Sequence, residues 1–145
     1  MAMKTSRPLI VSVALAALAA LAASPLVACA PKLSTPLADI PKLTSLDAVM
    51  DNQSTIADPQ WGKIGAASYT DGDYTAFGAV AERIQVTSLK IKDFSKGPEF
   101  DALAMKLNEK AKALGAASTA KDAKAAGAAL GEMKATCKEC HSKFK

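Results

Sequence analysis

The chain has a single histidine, and it stands directly behind a pair of cysteines. The run is Cys137-Lys138-Glu139-Cys140-His141, followed by Ser142, Lys143, Phe144 and Lys145. Two thiols three residues apart on a helix lie about one turn from each other. Both can therefore bond to the two vinyl groups of one haem. The adjacent imidazole then lies under the iron as the proximal ligand. C-x-x-C-H is the attachment pattern of c-type haem. The expectation is one covalent haem c, with thioethers at Cys137 and Cys140 and His141 on the iron. A chain organised around such a site must wrap a large, flat, apolar group and supply a wall for its far face.

Other chemistries for the motif are weaker. A zinc site wants four protein ligands, or three and an open position. Cys137, Cys140 and His141 could give three, but no second histidine exists to complete a structural site. The neighbours Cys140 and His141 would also struggle to converge on one tetrahedral ion. A thioredoxin-like pair places its thiols at a helix N-terminus, where the dipole favours the thiolate. Here the thiols fall at the C-terminal end of a helix. A structural disulfide remains open in an oxidising compartment.

The N-terminus reads as an export leader over residues 1–28. Lys4 and Arg7 precede a nearly all-apolar run from Pro8 to Ala23, with a small-residue boundary near Ala28. The run is short for a spanning helix and Ser24-Pro25 follows it. Leu26-Val27-Ala28-Cys29 resembles a bacterial lipobox, in which Cys29 becomes the lipidated first residue of the mature chain. A lipid there would tether the protein to a membrane without spanning it. Ordinary cleavage nearby would instead leave Cys29 as an odd thiol. Export places the chain in the periplasm. Loss of Lys4 and Arg7 lowers the net charge from +4 to +2, which gives no support to nucleic-acid binding. Residues 29–42, punctuated by Pro31, Pro36 and Pro41, read as an extended Pro-rich tether.

Residues 43–145 carry four helical patterns and no strand pattern. The first helix starts at Thr44 or Ser45 and breaks at Asp58-Pro59, with Leu43, Leu46, Met50 and Ala57 near one face and Val49 and Ile56 beside them. A kinked continuation covers Gln60 to Ser68 and carries Trp61, the only tryptophan. After a turn at Thr70-Asp71-Gly72-Asp73, the second helix runs from about Tyr74 to Phe94, with Phe77, Val80, Ala81, Ile84, Ser88, Ile91 and Phe94 at the 3–4 spacing of one face. The third runs from about Glu99 to Leu114, and Gly115 is the expected stop. The fourth starts near Thr119, where Thr119 and Asp122 form a weak capping box. Its inward positions are Ala123, Ala126, Leu130, Met133, Cys137, Cys140, His141 and Phe144. The motif thus continues the apolar stripe of an amphipathic helix. The fold class is all-α: an antiparallel four-helix bundle with a C-terminal haem-binding helix. Much of the apolar content is alanine, and only four Phe, two Tyr and one Trp are present, so the core is short of large side chains that a cofactor would replace.

An all-α domain of this size with C-x-x-C-H almost at its C-terminus resembles the class II c-type cytochromes, the cytochrome c′ and cytochrome c-556 family. The resemblance covers Leu43 to Lys145. Its specific part is Gly131 to Lys145, with Cys137, Cys140, His141 and an aromatic at Phe144 where the family often has tyrosine. The arginine that often follows the histidine is missing, and Lys143 and Lys145 are the nearby basic residues.

The resemblance implies a choice on the far side of the haem. Relatives similar to cytochrome c′ proper leave the iron five-coordinate behind an apolar side chain and bind small gases such as nitric oxide. Relatives similar to cytochrome c-556 supply a methionine from the first helix and carry electrons. Met50 lies on the first helix and is the candidate distal ligand, although a helix methionine is more often core filler. Met105 and Met133 are worse placed, and Met133, one turn before Cys137, would flank the haem on the proximal side. Trp61 either packs on the macrocycle edge or anchors the bundle.

The expected function is that of a periplasmic monohaem electron carrier with a redox partner protein. The alternatives are a five-coordinate gas-binding haem protein and a haem-free helical lipoprotein. No nucleophile or proton-transfer constellation is present, so no enzyme is expected. Lys134, Lys138, Lys143 and Lys145 could steer an acidic partner, or simply complement the helix dipole. Members of the family often form homodimers, but no exposed apolar stripe demands one here.

Overall fold

A computed structural model describes residues 35–145. The leader, Cys29 and the first part of the tether lie outside these residues. Four long helices follow: α1 (Leu46–Ala57), α2 (Asp71–Ile91), α3 (Pro98–Thr119) and α4 (Ala123–Phe144), with no strand among the described residues. Short 3₁₀ segments at Leu37–Lys42, Asp58–Lys63 and Lys92–Phe94 make the corners.

Side-chain caps set most helix starts. The Ser45 hydroxyl accepts from the Ala48 N–H at 3.2 Å. At α2, Thr70 and Asp73 form a capping box: the Thr70 hydroxyl accepts from the Asp73 N–H, and the Asp73 carboxylate accepts from the Thr70 N–H at 2.8 Å. That exchange absorbs the expected turn into the helix, so α2 begins at Asp71 rather than near Tyr74. Asp122, expected to complete a box with Thr119, is itself the cap of α4 and accepts from the Ala125 N–H at 2.9 Å.

Gly115 does not stop α3, which continues to Thr119. A Cβ at Gly115 would lie 3.3 Å from that of Ala81, so the glycine lets α3 approach α2 closely. Close packing there offsets the roughly 1 kcal/mol that glycine costs inside a helix. The chain turns instead at Lys121, whose positive φ of 52° reverses it toward α4. The Asp122 N–H closes the turn by donating to the Ala117 carbonyl at 3.0 Å.

Consecutive helices pack antiparallel: α1 on α2, α2 on α3, and α3 on α4. The fourth side of the bundle differs, because α1 touches α4 only sparsely and the Asp58–Lys63 segment bridges them instead. The apolar interior is correspondingly divided. The larger cluster holds Phe77, Val80, Ile84, Leu114, Leu130 and Met133, all essentially solvent-free. The smaller holds Val49, Ile91, Phe100 and Ala104. Alanines fill much of the contact between α3 and α4, as the composition requires.

Three further features depart from the sequence expectations. The inward residues of α1 are Val49, Asn52, Gln53 and Ala57, while Leu46 and Met50 are half-buried. The end of the Pro-rich stretch is not an extended tether either. Leu37–Lys42 forms a 3₁₀ turn that packs on α2, with Ile40 fully buried. An apolar side chain this buried contributes about 1.5–3 kcal/mol, enough to dock the segment in spite of its prolines. The piece from Gln60 to Ser68 is helical only to Lys63, as a 3₁₀ turn.

Two consequences are measurable. Phe77 is 0% exposed at the centre of the larger cluster. Phe77→Ala is expected to cost about 3–5 kcal/mol in denaturant unfolding; a loss under about 1 kcal/mol would show that this cluster does not carry the bundle. Asp73 is the second. The Lys63 ammonium, followed by the Thr70 N–H and hydroxyl, holds its carboxyl down to about 2. Its stabilising effect is therefore complete above the usual aspartate range and is lost as pH falls toward 2. Asp73→Asn should unfold more easily at neutral pH and show a shallower further loss between about pH 4 and 2 than the parent chain. Parallel acid titrations would contradict this.

Candidate functional site

The gap between α1 and α4 is a cleft, and the last two turns of α4 form one of its walls. Its middle is a narrow cavity of about 20 Å³, floored by Ile91, Leu103, Ala104 and Leu107 and walled by both cysteines. A cavity of about 300 Å³ opens on one side, past Leu46, Phe100, Cys140 and Phe144. Another of about 370 Å³ opens on the other, past Ala57, Trp61, Ile84 and Cys137. Met50 and His141 line all three. The floor of the middle cavity lies where the two apolar clusters meet: Leu107 belongs to the larger, Ile91 and Ala104 to the smaller.

The two thiols divide between the clusters. Cys137 packs against the larger and Cys140 against the smaller, and neither is in a disulfide. Burial raises the Cys137 thiol to about 11, helped by the proximity of Cys140 and Asp58. Burial raises Cys140 as well. Both are therefore protonated at neutral pH, unlike the thiolates of a disulfide-exchange pair. Among the described residues no group of three or more His, Cys, Asp or Glu side chains is placed to hold a metal ion.

His141 differs from the expected inward position: it is exposed, at the edge of the cleft. Its wall has no helix packed directly opposite, because α1 stands back. Met50, on α1, supplies the facing wall. The cleft thus offers an imidazole and a thioether on opposite walls, two thiols at the narrow point and an apolar floor. This donor set and lining fit a haem c, for which sulfur and imidazole ligands are suited. Met133 is fully buried in the larger cluster, and neither it nor Met105 lines the cleft.

Trp61 has a place in both the cleft and the bundle core. It lines the cleft and packs against the larger cluster. Its indole N–H donates to the Asp58 carboxylate at 2.9 Å, and the Lys134 ammonium lies 5.9 Å from the ring centroid.

The lysines around the motif split in role. Lys143 pairs with Glu99 of α3, and Lys106 of α3 pairs with Glu139 at 2.8 Å. Lys96 donates to the Phe144 carbonyl at 2.7 Å and so caps the C-terminus of α4. These contacts stitch the motif's helix to α3, although each exposed pair is worth under about 1 kcal/mol. Lys138 and Lys145 stand at the mouth of the cleft instead.

Gln53 is the cleft residue that apolar periodicity does not find. It is buried, lines two of the three cavities and lies one turn after Met50. Its Nε2 donates to the Thr87 hydroxyl at 3.0 Å. That hydroxyl spends its own proton on the Arg83 carbonyl at 2.8 Å, which fixes the direction of the glutamine amide. Only its spacing from Met50 could have drawn attention to it.

Comparison with known proteins agrees with this geometry. A cytochrome c′ from Pararhodospirillum photometricum is 41% identical over 70 residues, a match covering 48% of this chain and 56% of that protein. The matched stretch thus spans little more than half of the relative's length. No solved structure matches. The family model described as Cytochrome C' matches residues 44–145, all four helices and the whole cleft, and the chain belongs to that family of covalent haem c proteins.

Proposed function

We propose that the protein is a monohaem c-type cytochrome that carries single electrons in the periplasm. Cys137 and Cys140 hold the haem through thioethers, His141 is the proximal iron ligand and Met50 the distal one. The observation that carries this reading is that Met50 and His141 line the same three cavities from opposite helices. When bound, the haem iron supplies the one-electron redox change.

The chain's own residues do the rest. Ile91, Leu103, Ala104 and Leu107 keep water from the floor of the cleft. Lys106, Glu139, Lys143 and Glu99 hold the last turns of α4 on α3, so His141 keeps its position while charge changes beside it. Thioether ligation favours the reduced state and raises the potential relative to an open site. Lys138 and Lys145 stand at the mouth beside Asp51 and Asp58, where they can meet acidic groups of a redox partner. Cys29 carries a lipid that keeps the domain at the membrane surface. No helix among the described residues is long and apolar enough to cross a membrane.

Intact mass of the full chain, produced in a host that attaches c-type haem, should show one covalent haem and an added lipid. A polypeptide without haem would leave a haem-free helical lipoprotein. The ferric optical spectrum should be low-spin and six-coordinate, and Met50→Ala should convert it to high-spin. A high-spin spectrum of the parent chain, or a Met50→Ala spectrum unchanged from it, would remove Met50 as a ligand. An open site would favour binding of small gases.

A further inference from the structure

The α1 wall of the cleft is backed by a buried charge. Arg83 of α2 is only 8% exposed, yet its hydrogen-bond partners are all neutral. Its Nη1 donates to the Thr35 carbonyl at 2.6 Å and to Asn52 Oδ1 at 2.9 Å. Its Nε is buried without a partner. No ion pair reaches it among the described residues, and residues 1–34 contain no acidic side chain. Arginine does not deprotonate in proteins, so the interior holds a fixed, uncompensated positive charge. Such a group is costly to keep, which makes its presence behind a functional wall informative.

The connection to the cleft is short. Asn52, which takes the guanidinium, is followed directly by Gln53, which lines the cleft. Gln53 is in turn bonded to Thr87, whose hydroxyl donates to the Arg83 carbonyl. Arg83 therefore lies one layer of side chains behind the wall that also carries Met50. In a low-dielectric interior a fixed charge acts across such a layer with little screening by salt.

Resting on the reading of the cleft as a haem site, we propose that the buried charge of Arg83, acting through the α1 wall, raises the reduction potential of the centre held there. Loss of one electron to the redox partner adds one positive charge in the cleft, and the guanidinium behind α1 opposes that addition. The same side chain pins Asn52 and Thr35, so charge and position must be separated by experiment.

Potentiometric titration of the haem-loaded full chain makes the separation, with the optical spectrum recorded for each variant. Arg83→Gln should shift the potential downward, and the shift should persist at high salt. Arg83→Lys, which keeps the charge, should stay near the parent value. Lys112→Gln, which removes an equal charge from the exposed face of α3, should shift it less than Arg83→Gln does. An Arg83→Gln protein with attached haem, an unchanged spectrum and the parent potential would overturn the proposal. Equal shifts in Arg83→Gln and Arg83→Lys would also overturn it, because position rather than charge would then be the cause. If Arg83→Gln does not fold, Arg83→Met takes its place, since apolar replacement of a buried ion is commonly tolerated. Absence of haem from the parent chain, read by mass, would instead overturn the assignment of the cleft.

Discussion

Everything in this molecule depends on one packing contrast: α2 lies tightly between α1 and α3, while α1 and α4 are kept apart. Gly115 against Ala81 lets α2 and α3 approach closely, above a cluster that includes Phe77, Ile84, Leu107 and Leu114. The separation of α1 and α4 comes from what those helices do not carry. Their facing positions offer Met50, Gln53, Cys137 and His141, not a continuous row of large aliphatic residues. An ordinary four-helix bundle closes all four sides around one core. Here the core is two clusters, and the seam between them opens toward the motif.

Much of this is legible in the sequence, for identifiable reasons. Helix number and order follow from apolar spacing, and the register of α4 places Ala126, Leu130 and Met133 inward and continues to the cysteines. Met50 is found because it is the one methionine on the first helix. What is not legible depends on tertiary contact. Gly115 looks like a stop until Ala81 of the neighbouring helix is known to be against it. Ile40 sits among prolines, and only its pocket against α2 makes it structural. His141 follows the inward stripe but ends exposed, because the helix that should cover it stands back.

Polar residues inside the bundle form the other layer that periodicity cannot reach. Asn108 of α3 donates to the Gln85 carbonyl and the Ser88 hydroxyl of α2, both at 2.9 Å. Asn52, Gln53, Arg83 and Thr87 tie α1 to α2 through a connected set of bonds. Amino-acid type alone assigns such residues to the surface. Their burial is understood only when every partner is known, because a buried polar group without one is costly. The set lies behind the cleft wall, so it fixes α1 in the place where that helix touches α4 only sparsely.

Trp61 has a consequence of a different kind. It is the sole tryptophan, half-buried, and it lines the cleft beside Cys137. An indole so placed would lose its emission by energy transfer to a group seated next to it that absorbs at its emission wavelengths, as a haem does. The intrinsic fluorescence of the protein is therefore a built-in gauge of occupancy. It should be brighter with the cleft empty than filled, and it needs neither a label nor a change to the chain.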